Sequence, residues 1–110
     1  MKIALSAQKH DLYNQLDEHF GRAEVFIIYD TETQRYQELS NAAASASAHG
    51  AGVQTVEKLI RNGIEAVVTG SVGPKAQEAL DAAGIKVHTT RQHTVALALS
   101  EFLEALSVSS

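Results

Sequence analysis

The chain contains no cysteine, which excludes disulfides, a nucleophilic or redox thiol, a zinc ribbon and the thiolate ligation of an ordinary iron–sulfur site. Any metal must therefore be met by histidine, carboxylate or backbone. Tryptophan is also absent, aromatic residues make up only 5%, and Pro74 is the single proline. Long apolar runs are missing too. The longest, Val25 to Tyr29 and Val95 to Leu99, are five residues each, against the roughly 20 that a membrane-spanning helix requires. At the start, Met1-Lys2-Ile3-Ala4-Leu5-Ser6 gives way to polar Gln8, Lys9, His10 and Asp11 too early for a signal-peptide core, so a cytoplasmic location is expected and no membrane partner. Nor is there a basic run. With 9 Lys and Arg against 13 Asp and Glu, and a net charge of -4, nothing gathers enough positive charge to neutralise several phosphates, and nucleic acid is not an expected partner.

What is present is 110 residues, 45% hydrophobic and 20% charged, the length of one domain able to bury a core without metal or disulfide support. Ile3 and Leu5 mark a first strand. Val25-Phe26-Ile27-Ile28-Tyr29 is apolar at alternating positions of both parities, the mark of a central strand covered on both faces. Asp30 to Gln34 is a polar turn, and Tyr36 to Leu39 a more polar returning arm. Asn41 to Ala48, rich in Ala and Ser without periodicity, reads as a loop. Val53, Val56, Leu59 and Ile60 share one helical face that Gly63 ends, and Ile64 to Thr69 follows as a buried strand. Pro74 suits a first helical position ahead of Ala76, Ala79, Leu80 and Ala83, with Gly84 as cap. Ile85 to His88 is a last strand, and Val95, Leu99, Phe102, Leu103 and Leu106 line a final helix. Residues 1–106 form the expected single domain and 107–110 a frayed tail.

Right-handed crossovers make the first, third, fourth and fifth strands parallel and the second antiparallel, giving an α/β fold with a five-stranded mixed sheet of order 3-2-1-4-5 and helices on both faces. The loops after the parallel strands then share one rim. His10, His19, His49, His88 and His93 all fall in or around those loops, at the end of the sheet where open α/β folds bind ligands. Two glycine-rich segments, His49-Gly50-Ala51-Gly52 and Gly70-Ser71-Val72-Gly73-Pro74, open helices at the same rim and offer unpaired N–H groups and positive dipole ends to an anion. Neither has the spacing of a P-loop or a dinucleotide fingerprint. This strand order is shared with the ribonuclease H-like class, whose nucleases hold two metal ions on acidic residues of the first strand. Here that strand, Lys2 to Ala7, has no carboxylate, and no serine sits on a strand-turn-helix elbow. Enzymatic activity is not expected.

The combination Asp17-Glu18-His19-Phe20-Gly21-Arg22, then Phe26, Asn41 and His49-Gly50-Ala51-Gly52, then Thr69-Gly70-Ser71-Val72-Gly73-Pro74-Lys75-Ala76 and Ala83-Gly84-Ile85-Lys86-Val87 resembles the dinitrogenase iron-molybdenum cofactor biosynthesis family, over nearly the whole chain. The resemblance implies a ribonuclease H-like motif without nuclease residues. It also implies a non-catalytic carrier of an iron-molybdenum or related metal-sulfur cluster, or of its precursor, similar to nitrogenase cofactor accessory proteins. The cluster would be bound transiently, so that the isolated protein can be empty, and the partners would be cluster donor and acceptor proteins. His19 matches the position that meets the cluster metal, with Asn41 and His49 as further contacts. A single neutral imidazole can coordinate an apical iron or molybdenum, and a ligand held by few bonds can be handed on. Arg22 and the two helix starts, at Gly50 and Gly52 and at Ser71 and Gly73, would offset the cluster's negative charge. The alternative is a small-molecule or anion-binding regulatory module on the same fold, in which the histidines are incidental.

Overall fold

The computed structural model describes residues 1–8, 15–47 and 50–109, so His10 and His49 lie outside the described residues. Five strands, β1 (Lys2–Ala7), β2 (Val25–Asp30), β3 (Arg35–Ser40), β4 (Ala66–Thr69) and β5 (Lys86–Thr89), form one sheet in the order β3-β2-β1-β4-β5. β2 is antiparallel to both β1 and β3, while β1 pairs parallel with β4 and β4 with β5. This is the topology that the apolar pattern and the crossover rule require. Among the described residues four helices complete the fold: α1 (Ala42–Ser45), α2 (Ala51–Arg61), α3 (Pro74–Ala82) and α4 (Val95–Ser109).

Side-chain alternation along the strands sorts the core into two layers. Ile3, Leu5, Val25, Ile27 and Val68 meet Val95, Ala98, Leu99 and Phe102 of α4 on one face. Ala4, Phe26, Ile28 and Val67 meet Val56, Leu59, Ala76 and Leu80 of α2 and α3 on the other. Gly63 and Gly84, at φ 71° and 73°, end the turns after α2 and α3 in the left-handed region expected of them.

Four local features differ from the sequence reading. Asn41 to Ala48 is not a plain loop, because Ala42–Ser45 forms one helical turn that buries Ala44. Phe20–Arg22, which the pattern assigns to no element, forms a 3-10 turn ahead of β2. The final helix continues through Ser107 to Ser109, where a frayed tail is expected. His88 lies in β5, as expected, but is half-buried against α4 with its ring edge-on to Phe102 at 5.5 Å rather than turned to the rim. In each case tertiary contacts decide what local propensity leaves open.

Phe20 is 1% exposed and packs edge-on against Phe26 with ring centroids 5.6 Å apart. Phe20→Ala is expected to lower the free energy of unfolding by roughly 3–5 kcal/mol. Urea denaturation of the two proteins measures this, and a loss below about 1 kcal/mol would show that the ring does not anchor the turn.

Candidate functional site

The site begins with the backbone at the carboxyl ends of β1 and β4. Ser6 and Thr69, one near the end of each strand, are fully buried with their hydroxyls 2.7 Å apart, and Ser6 Oγ also donates to the Asp17 carbonyl at 2.7 Å. Asp17 N–H donates back to the Ser6 carbonyl at 2.8 Å. The chain leaving this clasp runs beside Gly70 and Ser71. Ser71 N–H donates to the Glu18 carbonyl at 2.7 Å and Phe20 N–H to the Ser71 carbonyl at 3.1 Å, a short parallel bridge pairing His19 with Ser71. A Cβ at Gly70 would fall 2.7 Å from the Glu18 carbonyl oxygen, so only glycine lets the two backbones close up. His19 is thereby presented exposed at the rim, its own N–H turned inward to Asp17 Oδ1 at 2.9 Å.

A second close approach sets α2 and α3 beside this ribbon. A Cβ on Gly21 would lie 2.9 Å from Gly52 Cα, and one on Gly52 would lie 2.9 Å from Ala76 Cβ. The 3-10 turn and the first turn of α2 therefore meet backbone to backbone, and the first turn of α3 meets α2 with only the Ala76 methyl between them. Both helices start here. Gly50, at φ 72°, and Gly73, in extended backbone, occupy the N-cap positions, and neither helix has a side-chain cap. The amides of Ala51, Gly52 and Val53 in α2, and of Lys75 and Ala76 in α3, are those that helix geometry leaves without an intrahelical acceptor. Pro74 at the first position of α3 has no N–H to satisfy.

Between these ends lies an open groove of about 330 Å³. His19, Arg22, Gly50, Gly52, Ser71 and Gly73 all line it, so the structure brings together most of the site residues expected from the sequence. No Asp or Glu is among its described lining residues, while Arg22 and Lys75 are. The groove thus combines one imidazole, two cationic side chains and two helix N-termini, an arrangement that favours a compact anion able to accept an imidazole nitrogen. Lys75 and Val53 line the groove as well, beyond the residues expected from the sequence. Their signal was in the sequence, since residues in the first turn of a helix opening on the rim share the rim with its cap.

Asn41 is not brought to the groove. Its side chain is 1% exposed, donates through Nδ2 to the Ala23 carbonyl at 2.8 Å and to Thr55 Oγ1 at 3.0 Å, and so ties the end of β3 to α2. Arg22 has a structural task as well: its guanidinium donates to the carbonyls of Ser45 and Ser47 at 3.0 and 2.8 Å, closing the C-terminal end of α1. The described histidines, His19, His88 and His93, do not form one cluster. His93 lines a separate cavity, and His88 Nε2 is buried without a hydrogen-bond partner, 3.6 Å from Glu101 Oε1. Among the described residues no group of three or more His, Asp or Glu is placed to hold a metal ion, and no helix is long and apolar enough to cross a membrane.

The profile of the family described as dinitrogenase iron-molybdenum cofactor matches residues 1–105. An uncharacterized protein of Methanocaldococcus jannaschii is 30% identical over 106 residues, which span 94% of this chain and 86% of that protein. Among solved structures, the apo form of the orange protein from Desulfovibrio gigas superposes with a TM-score of 0.88 at 38% identity, covering 94% of this chain and 88% of that one. A Thermotoga protein described as a candidate NifB protein superposes with a TM-score of 0.81, also at 38% identity, covering 94% and 87% of the two chains.

The stacked turns make a direct test. Gly52→Ala is expected to cost about 1–3 kcal/mol through overpacking against Ala76. Ala76→Gly should recover part of that loss, so that the double variant is more stable than the sum of the single effects requires. Thermal or urea unfolding of the four proteins measures the coupling; strict additivity would mean that the two positions do not touch.

Proposed function

The chain belongs to the dinitrogenase iron-molybdenum cofactor family, and from this we propose that it is a non-catalytic carrier of an iron-molybdenum or related metal-sulfur cluster, or of a cluster precursor, received from one protein and passed to another. The observation that carries this reading is the groove itself, where His19, Arg22, Gly50, Gly52, Ser71 and Gly73 converge without any carboxylate among the described lining residues. A metal-sulfur cluster is compact, negatively charged and rich in weak hydrogen-bond acceptors. Backbone amides and cationic side chains suit its sulfides, and one imidazole suits an accessible iron or molybdenum.

The same donor set explains why the cargo can leave. With no cysteine in the chain, the described groove offers a single metal bond, from His19, against the four thiolates that typically hold a resident iron–sulfur cluster. The remaining attraction is electrostatic and hydrogen-bonded, spread over groups that a competing site can replace one at a time. His49, which lies outside the described residues, remains a proposed second contact, and Gly50 beside it reaches the groove.

Purification from a cluster-producing host under anaerobic conditions should yield protein with iron or molybdenum and sulfide above background, and the emptied protein should take up isolated iron-molybdenum cofactor. His19→Ala is expected to weaken that uptake at least tenfold while moving the unfolding midpoint by no more than surface substitutions do, about 0.5 kcal/mol. Equal uptake by the wild type and His19→Ala would move the metal contact elsewhere. Absence of uptake by either would favour the regulatory module that binds a simple anion.

A further inference from the structure

We propose that the chain carries a second ligand site, separate from the His19 groove, that takes a small zwitterion of the α-amino acid type with a polar side chain. The site is the larger cavity, about 750 Å³, on the other side of the Glu18–Ser71 ribbon. Gln8, Gly70 and Thr90, the residues that follow β1, β4 and β5, all line it. It therefore sits across the carboxyl ends of three parallel strands, including β1 and β4, the pair at which the strand order reverses direction. Open α/β sheets place their ligands at such a crevice.

Its chemistry is unlike that of the groove. Arg91 and Glu18 bring one fixed charge of each sign, and Gln8, Gln15 and Gln92 bring neutral amides that both donate and accept. A guanidinium pairs with a carboxylate through two parallel hydrogen bonds, a carboxylate side chain accepts from an ammonium, and amides meet a polar side chain. Glu18 works against a polyanion, and the three amides work against an apolar ligand. The surround is fixed by backbone bonds: Leu16 N–H to the His93 carbonyl at 2.9 Å, Gln8 N–H to the Gln15 carbonyl at 3.0 Å and Thr90 N–H to the Thr69 carbonyl at 2.9 Å. Thr90 Oγ1 in turn donates to Glu101 and accepts from Gln92 N–H at 3.1 Å. This inference does not depend on cluster carriage.

The test is a titration of the ¹⁵N-labelled full chain with L-glutamine, L-serine and L-aspartate in turn, followed by amide shifts. Acetate and ethylammonium serve as half-ligands carrying one charge each. At least one amino acid should give saturating shifts at Gly70, Gln92 and His93 while Gly73 and Lys75 stay in place, and neither half-ligand should saturate over the same range. Arg91→Gln and Glu18→Gln, each folded as judged by an otherwise unchanged spectrum, should weaken binding about tenfold, the loss of one charge-assisted pairing. The proposal is overturned if no amino acid saturates, if saturation survives both substitutions undiminished, or if the shifts centre on Gly73 to Ala76.

Discussion

The structure depends on a contact with almost no side chain in it. Gly21, Gly52 and Ala76 let a 3-10 turn and two helix starts approach with nothing larger than one methyl group between them. Packing that close brings the amides of two helices to one groove, and it does so without a ligand to organise them. The groove is therefore preorganised: its dipoles are oriented by the fold, and a bound anion need not repay their alignment. The surrounding core serves this contact, since Phe20, Val56, Leu59, Ala76 and Leu80 share one buried cluster that clamps the same three elements from below.

What the sequence revealed followed the physics of periodicity. Val25 to Tyr29, apolar at both parities, could only be an inner strand, and Pro74, Gly63 and Gly84 mark helix ends by covalent constraint. The groove was legible for the same reason, because glycines that open helices at the rim belong together once the strand order is known. Asn41 was not legible. A polar residue before a small-residue stretch looks like a contact for ligand, and only burial shows that its amide is spent on Ala23 and Thr55. His88 differs in the opposite way: the pattern places it in the last strand, at the edge of the rim, and only packing shows its ring turned under α4 against Phe102. Ala42–Ser45 escaped notice because a single turn has no periodicity to detect.

Arg22 shows how a short chain makes one residue serve two structures. Its guanidinium closes the end of α1 through the Ser45 and Ser47 carbonyls, and the same residue lines the groove. Those four residues include no basic side chain of their own, so among the described residues the end of α1 rests on this guanidinium. A helix of one turn has little cooperative stability of its own, so its conformation follows what holds its end.

The hydroxyl pair of Ser6 and Thr69 has a further consequence for how the sheet finds its alignment. Parallel strands such as β1 and β4 slide easily in an apolar interior, because Ile, Val and Leu pack nearly as well one position along. Two hydroxyls that meet only in the native register remove that freedom. A slip by one residue would put the two on opposite faces and part them, leaving the Thr69 hydroxyl without Ser6 in a dry core, at about 1–3 kcal/mol. Misaligned sheets are thus penalised, and the pair acts as a proofreading mark for the strands on which both cavities are built.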